Sequence, residues 1–252
     1  MLETNKVTIK FGGLIAVNEV SMRVEPGKIT ALIGPNGAGK TTLFNCISGV
    51  YTLTSGEVLL DGEHLEGKRG FQINKAGIAR TYQVINLFWK MSVIENVLVG
   101  MHSSLKSTFW DSYFHTKKKR EEEARILEKA HELLRFVGLD EYAEVPANSL
   151  SYGKQRLLEI VRGLASDPKV ILLDEPVAGM NTKEKRELDA LLQKILKMGV
   201  SILIVEHDMK LIMDISDYIY VLCNGKLLAQ GTISEIQNNP EVIAAYLGGE
   251  DT

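Results

Sequence analysis

The chain has 252 residues, 45% of them hydrophobic and 24% charged, enough to bury a sizeable core in one large or two medium domains. Lys and Arg total 29 against 32 acidic residues, a net charge of −3 that argues against retention on nucleic acid by bulk charge. Collagen-like, coiled-coil and disordered compositions are excluded as well. Apolar runs such as Val170–Leu173 and Ile202–Val205 fall far short of the roughly 20 residues that span a bilayer. The stretch Met1–Lys6 carries no apolar signal core, so a soluble, cytoplasmic protein is expected. Cys46 and Cys223 lie in apolar surroundings without metal-type spacing and read as small buried side chains.

In chain order, Val7–Lys10 and Ala16–Val24 read as an antiparallel hairpin region around Gly12-Gly13. Ile29–Ile33 is a continuous apolar run, the pattern of a strand buried on both faces. A Gly-rich stretch follows it and opens a helix reaching about Ser48. From about Leu87 to Ala165 strand-like alternation is nearly absent, and helices are expected over Ser92–Gly100, Arg120–Val137 and Gly153–Leu164. Leu127, Ala130, Leu134 and Val137 recur at helical spacing as an apolar stripe. Between Met101 and Lys119 lies a mixed segment with Phe109, Trp110, Tyr113 and Phe114, read as a loop or short helices. Val170–Leu173 and Ile202–Val205 are two more buried strands, and Tyr218–Leu222 and Leu227–Gln230 flank the hairpin signal Asn224-Gly225. The expected fold is α/β: a mostly parallel, helix-covered sheet with an antiparallel β region and an inserted helical subdomain. The core is expected over 1–86 and 166–252, and the helical part over 87–165 with an insertion near 102–119.

Gly34-Pro35-Asn36-Gly37-Ala38-Gly39-Lys40-Thr41-Thr42 stands between a buried strand and a helix, the context a phosphate loop requires. Its glycines let backbone N–H groups curl around a phosphate chain, and the helix N-terminus adds unsatisfied N–H groups. Lys40 is then placed to reach the β- and γ-phosphates, and the Thr41 hydroxyl to sit on Mg²⁺. Asp174 and Glu175 follow the strand Val170–Leu173 and emerge at the sheet edge where ligands bind. One carboxylate suits magnesium and its neighbour suits polarisation of an attacking water, although two acids before Pro176 also suit a plain strand end. His207 follows Ile202–Val205 in the same way, placed to donate toward a γ-phosphate. Gln83, at the transition into the helical region, suits contact with metal or water.

With Leu150-Ser151-Tyr152-Gly153-Lys154-Gln155-Arg156 added, the motifs in this order resemble the nucleotide-binding subunits of ATP-binding-cassette (ABC) transporters, over essentially the whole chain. The resemblance implies ATP and Mg²⁺ as cofactors. It also implies two subunits packed head to tail, closing ATP between one chain's phosphate loop and the other's signature motif. Carried over residue by residue, Glu175 matches the general base, Asp174 the magnesium carboxylate, His207 the switch histidine and Gln83 the lid glutamine. Phe11 stands where an aromatic stacks on adenine, and Ser151, Gly153 and Gln155 belong to the motif that faces a partner's γ-phosphate.

Two stretches depart from the common pattern. Tyr152 replaces a Gly and Lys154 a Gln or Glu, and the loop after the catalytic acid reads Ala178-Gly179-Met180-Asn181, whose Asn181 lacks the usual charge. Both departures resemble the ATPases of branched-chain amino-acid importers, the LivG type, as do Leu158-Glu159-Ile160 and the ending Leu247-Gly248-Gly249. That branch implies an ATPase on the inner face of the cell membrane, bound to permease subunits and to a second cassette, either a copy or a related chain. An extracytoplasmic substrate-binding protein would act with it indirectly, and no nucleic-acid partner is expected. A lipopolysaccharide-export ATPase shares the Tyr-Gly signature but lacks the insertion. A soluble ABC ATPase without a transport role is the remaining alternative. Gln83–Trp89, with Leu87, Phe88 and Trp89 taken as exposed, is the candidate permease-docking surface.

Overall fold

A computed structural model describes residues 1–101 and 117–247. The insertion expected near 102–119 lies, up to residue 116, outside the described residues, as does Gly248-Gly249. Strands β1 (Leu2–Phe11) and β2 (Leu14–Val24) form the expected hairpin, closed by the Phe11–Leu14 pair. The register slips along it, and Lys6 and Glu19 take left-handed backbone beside the slips, as bulged residues do. β4 and β5 (Ser55–Leu60 and Glu63–His64) extend this sheet to the order β2-β1-β4-β5.

The second sheet has six strands in the order β10-β9-β3-β8-β7-β6. Its members are β3 (Ile29–Ile33), β6 (Ile78–Arg80), β7 (Val170–Asp174), β8 (Ser201–Val205), β9 (Tyr218–Cys223) and β10 (Lys226–Gly231). All neighbours are parallel except the β9–β10 hairpin, which turns through Asn224 and Gly225, both at positive φ as a type I′ turn requires. Every residue of β3, β7 and β8 is buried, which is why these segments read as unbroken apolar runs.

The two faces of this sheet carry separate cores. Leu32, Leu172, Leu203 and Val205 join Leu43, Phe44 and Ile47 of helix α1 (Lys40–Ile47) and the inner face of the antiparallel sheet. Their neighbours Ala31, Ile171, Leu173 and Ile204 point the other way. They pack on Ile160 of α5 (Tyr152–Leu164), Leu188 and Leu192 of α6 (Thr182–Lys197), and Ile212 of α7 (Met209–Ile215). The remaining helices are α2 (Gly70–Ala76), α3 (Val93–Met101), α4 (Lys117–Val137), α8 (Ile233–Gln237) and α9 (Pro240–Leu247).

A third core joins α3, α4 and α5 through Val93, Val97, Ala130, Leu134, Leu158 and Val161. Ser92, expected inside α3, instead precedes it, exchanging bonds with the Glu95 backbone N–H and side chain as a capping box. The α4 stripe needs one correction. Leu127 is exposed, and Ile126 and Leu133 pack in its place. Leu87 is corrected too: with Ile85 it is buried in this helical core, leaving Phe88 and Trp89 exposed.

Cys46 is buried on α1, where burial pushes its thiol pKa up to about 12, whereas Cys223 at the end of β9 is only half-buried. In the native protein at mildly alkaline pH, iodoacetamide is expected to modify Cys223 and spare Cys46, because the thiolate is the reacting species. Peptide mass spectrometry before and after denaturation checks this; rapid native labelling of Cys46 would contradict the burial.

Candidate nucleotide site

The Gly34–Thr42 loop leaves the end of β3 and runs into α1, whose first turn has no intrahelical carbonyls for its N–H groups. The loop lies directly on backbone. A Cβ on Gly34, at φ +147°, would stand 2.1 Å from the Leu222 carbonyl oxygen, so any side chain there would force β9 and the loop apart. The Gly225 N–H bonds the Ala38 carbonyl at 3.1 Å, and the Asn18 N–H bonds the Gly225 carbonyl at 2.7 Å. The β9–β10 turn thus seats the loop against β2. Lys40 is buried, and its Nζ donates to the carbonyls of Gly34 at 2.6 Å and Pro35 at 2.9 Å, inside the ring of its own loop. Burial lowers its pKa against the opposing pull of Glu175 and Asp174.

Asp174 closes β7, and Glu175 follows it at φ +47°, a conformation uncommon outside glycine. That kink brings the Glu175 carboxylate between two partners. His207 Nε2 lies 2.7 Å from Oε1, and Gln83 Nε2 donates to Oε2 at 3.0 Å. Asp174 is buried, and burial raises its pKa even though Arg80 holds Oδ2 at 3.0 Å. Thr41, Gln83, Asp174 and Arg80 line one groove. Its free oxygens are a hydroxyl, an amide carbonyl and a carboxylate, a hard donor set that fits Mg²⁺. The phosphate loop, Gln83, Asp174, Glu175 and His207 therefore meet at one sheet edge.

The signature residues do not join them. Ser151 and Gly153 line a different groove, with Asn181 and Glu184. Ser151 is the N-cap of α5 yet makes no capping bond with its side chain, so its exposed hydroxyl is open to an outside acceptor. Gln155 is turned away from that groove, donating to the Leu150 carbonyl at 2.9 Å. Phe11 stands exposed at the hairpin end, edge-on to Tyr51 with ring centroids 5.2 Å apart. Tyr51, just beyond α1, went unnoticed in the sequence.

Sequence reasoning also missed Arg80 and Glu206. Arg80 ties Asp174 to α1 through Asn45 Oδ1 and Ser48 Oγ, each at 2.7 Å, and its guanidinium lies 5.0 Å from the Tyr82 ring centroid. Glu206 is buried with its pKa raised by that burial, and accepts N–H bonds from Val177 at 2.8 Å and His207 at 3.0 Å. Being just before His207 was its one visible signal.

The two departures from the signature pattern touch each other. The Tyr152 ring lies over Gly179, where an added Cβ would come 3.2 Å from Cε1. Gly179 also sits at φ +76°, so a side chain meets strain and crowding together. Gly179→Ala is expected to cost about 1–3 kcal/mol in urea unfolding, and less in a Tyr152→Ala background, where only the backbone strain remains. Equal losses in both backgrounds would separate the two residues.

The ABC transporter family matches residues 17–178, and the branched-chain amino acid ATP-binding cassette transporter family matches 226–252. The high-affinity branched-chain amino acid transport ATP-binding protein LivG of Escherichia coli K12 is 47% identical over 98% of both chains. BraF of Pseudomonas aeruginosa, described in the same words, is 46% identical over the same shares. Among solved structures, a nucleotide-free ATP-binding cassette from an ABC transporter superposes with a TM-score of 0.85 at 31% identity, covering 98% of each chain. A dimeric bacterial ABC transporter cassette gives 0.76 at 25% identity, over 92% of this chain and 99% of that one. The chain belongs to the ATP-binding cassettes of ABC transporters, in the branch of the branched-chain amino-acid transport ATP-binding proteins.

Proposed function

We propose that this chain is the ATP-hydrolysing subunit of an ABC importer, energising uptake of branched-chain amino acids through partner membrane subunits. The observation that carries the hydrolytic part is Glu175, held between Gln83 and His207 beside the phosphate loop. The transport part rests on 47% identity to LivG along nearly the whole chain.

In this reading Glu175 is the general base for the attacking water, and His207 and Gln83 fix its two oxygens. Lys40 exchanges the carbonyls of Gly34 and Pro35 for phosphate oxygens, and Phe11 with Tyr51 offers adenine an aromatic platform. Asp174, Thr41 and Gln83 would hold Mg²⁺, which neutralises phosphate charge when bound. The uncapped Ser151 and the first turn of α5 would complete the site of a second cassette, supported by their lying in a groove away from this chain's phosphate loop. Residues 87–165 would move as the helical part against a core of 1–86 and 166–252.

No helix among the described residues is long and apolar enough to cross a membrane, so force must reach the permease across a surface. Val84, Phe88, Trp89 and Phe71 are exposed, and Phe71 and Phe88 share a groove with Val99. A partner helix seated there would attach the chain at the inner face of the cell membrane. A substrate-binding protein would act only through the permease.

Glu175→Gln is expected to keep nucleotide binding, to pair in ATP and to lose at least about 10²-fold in turnover, while Lys40→Ala weakens binding itself. Steady-state hydrolysis and light scattering with ATP check both, and normal hydrolysis by Glu175→Gln would remove the general base. Cysteines at 88 and 89 are expected to cross-link to a permease subunit in the assembled complex. Cross-linking from buried position 87 but from neither neighbour would refute this docking surface.

A further inference from the structure

Arg156 and Glu159 lie one turn apart on α5 with no side-chain exposure, joined by an ion pair of 2.6 Å. Stability gives no reason for them, because replacing such a pair by apolar side chains of similar volume is often neutral or stabilising. Apart from a 3.5 Å contact of Arg156 Nη2 with the Tyr152 hydroxyl, their remaining bonds go to the loop that carries Gln83. Arg156 Nη1 donates to the Tyr82 carbonyl at 2.6 Å, and Nη2 to the Gln83 carbonyl at 2.8 Å. Glu159 Oε1 accepts the Asn86 N–H at 3.2 Å and the Tyr82 N–H at 3.4 Å. Residues 81–88 form no helix or strand, and these two side chains hold backbone groups of Tyr82, Gln83 and Asn86, while Asn96 of α3 holds those of Phe88. The Gln83 side chain extends from this clamped backbone to Glu175.

We propose that Arg156 and Glu159 are positioning residues for Gln83, locking residues 82–86 to the helix whose N-terminal end carries Ser151 and Gly153. This rests on the catalytic reading of Gln83 given above. In a pair of cassettes, the end of α5 that meets the partner's nucleotide and the glutamine beside the chain's own nucleotide then move as one body. Occupancy of one site is thereby felt at Glu175 of the other.

Arg156→Lys keeps the charge but loses the planar fork that holds two carbonyls and a carboxylate together. In the full chain its turnover is expected to fall about tenfold, since small misplacement of a reacting group is costly, while nucleotide Kd changes less than about twofold. A cycle with Gln83→Ala decides the matter: once Gln83 is absent, Arg156→Lys should add less than about twofold. A full tenfold loss in the Gln83→Ala background, or unchanged turnover in Arg156→Lys alone, would overturn the clamp and leave the ATPase reading intact. Unchanged turnover in Gln83→Ala would remove both the glutamine's role and the clamp, and a wild-type chain without hydrolysis would remove the functional reading itself. Should Arg156→Lys not fold, Arg156→Met with Glu159→Leu strands no buried charge and carries the same cycle.

Discussion

Three carboxylates crowd the ends of β7 and β8, and the site is organised around keeping them apart. Asp174 is held by Arg80, Glu206 by backbone N–H groups of the loops after β7 and β8, and Glu175 by Gln83 and His207. Burial raises the pKa of Asp174 and Glu206, so their charged forms are only partly compensated by protein. A few residues away, Lys40 is buried in a loop of backbone dipoles that suits anions. One edge thus wants a cation and the adjoining loop wants an anion. A metal–triphosphate complex meets both demands with one ligand, which a lone cation or a lone phosphate does not.

That arrangement needs a frame that does not yield. The phosphate loop rests on the backbone of β9 with no room for a Cβ at Gly34, and Asp174 is braced to α1 through Arg80, Asn45 and Ser48. Glu206 joins the loops after the two acid-bearing strands, and Lys185 of α6 pairs with Asp208 at 2.6 Å before α7. The movable parts are side chains and one loop. Lys40 can exchange carbonyls for phosphate, and the Gln83 backbone is held through its carbonyl by Arg156 of α5.

The parts of this design visible in the sequence are those written contiguously. β3, β7 and β8 announce themselves because both faces are buried, and the phosphate loop because its residues act as one run. The residues that hold the site together are less legible. Arg80 and the Arg156–Glu159 pair act through partners up to 94 positions away with nothing local to mark that role, and Glu206 shows only its place before His207. Helix α6 is a different case, since Asn181 and Glu184 form a capping box ahead of Leu188, Leu191, Leu192 and Ile195 at helical spacing. In α4, Ile126 and Leu127 are both compatible with the spacing to Ala130, and only packing against α3 and α5 selects Ile126.

The same structure separates geometry from charge in the loop after Glu175. The Asn181 side chain accepts the N–H groups of Lys183 and Glu184 at 2.9 and 3.0 Å, filling the N-cap of α6. Aspartate caps a helix about as well as asparagine, so the departure at 181 leaves the shape of the loop unchanged and removes only a negative charge from its tip. At Tyr152 the opposite holds: charge is unchanged, while an aromatic ring is added that lies against Gly179 and reaches within 3.5 Å of Arg156 with its hydroxyl. One departure alters the charge at the tip of the loop, and the other tightens the contact between α5 and the loop after Glu175. Loss of charge at the loop tip is thus accompanied by a firmer mechanical link within the chain, and that link ends on α5, the helix that holds the Gln83 carbonyl through Arg156.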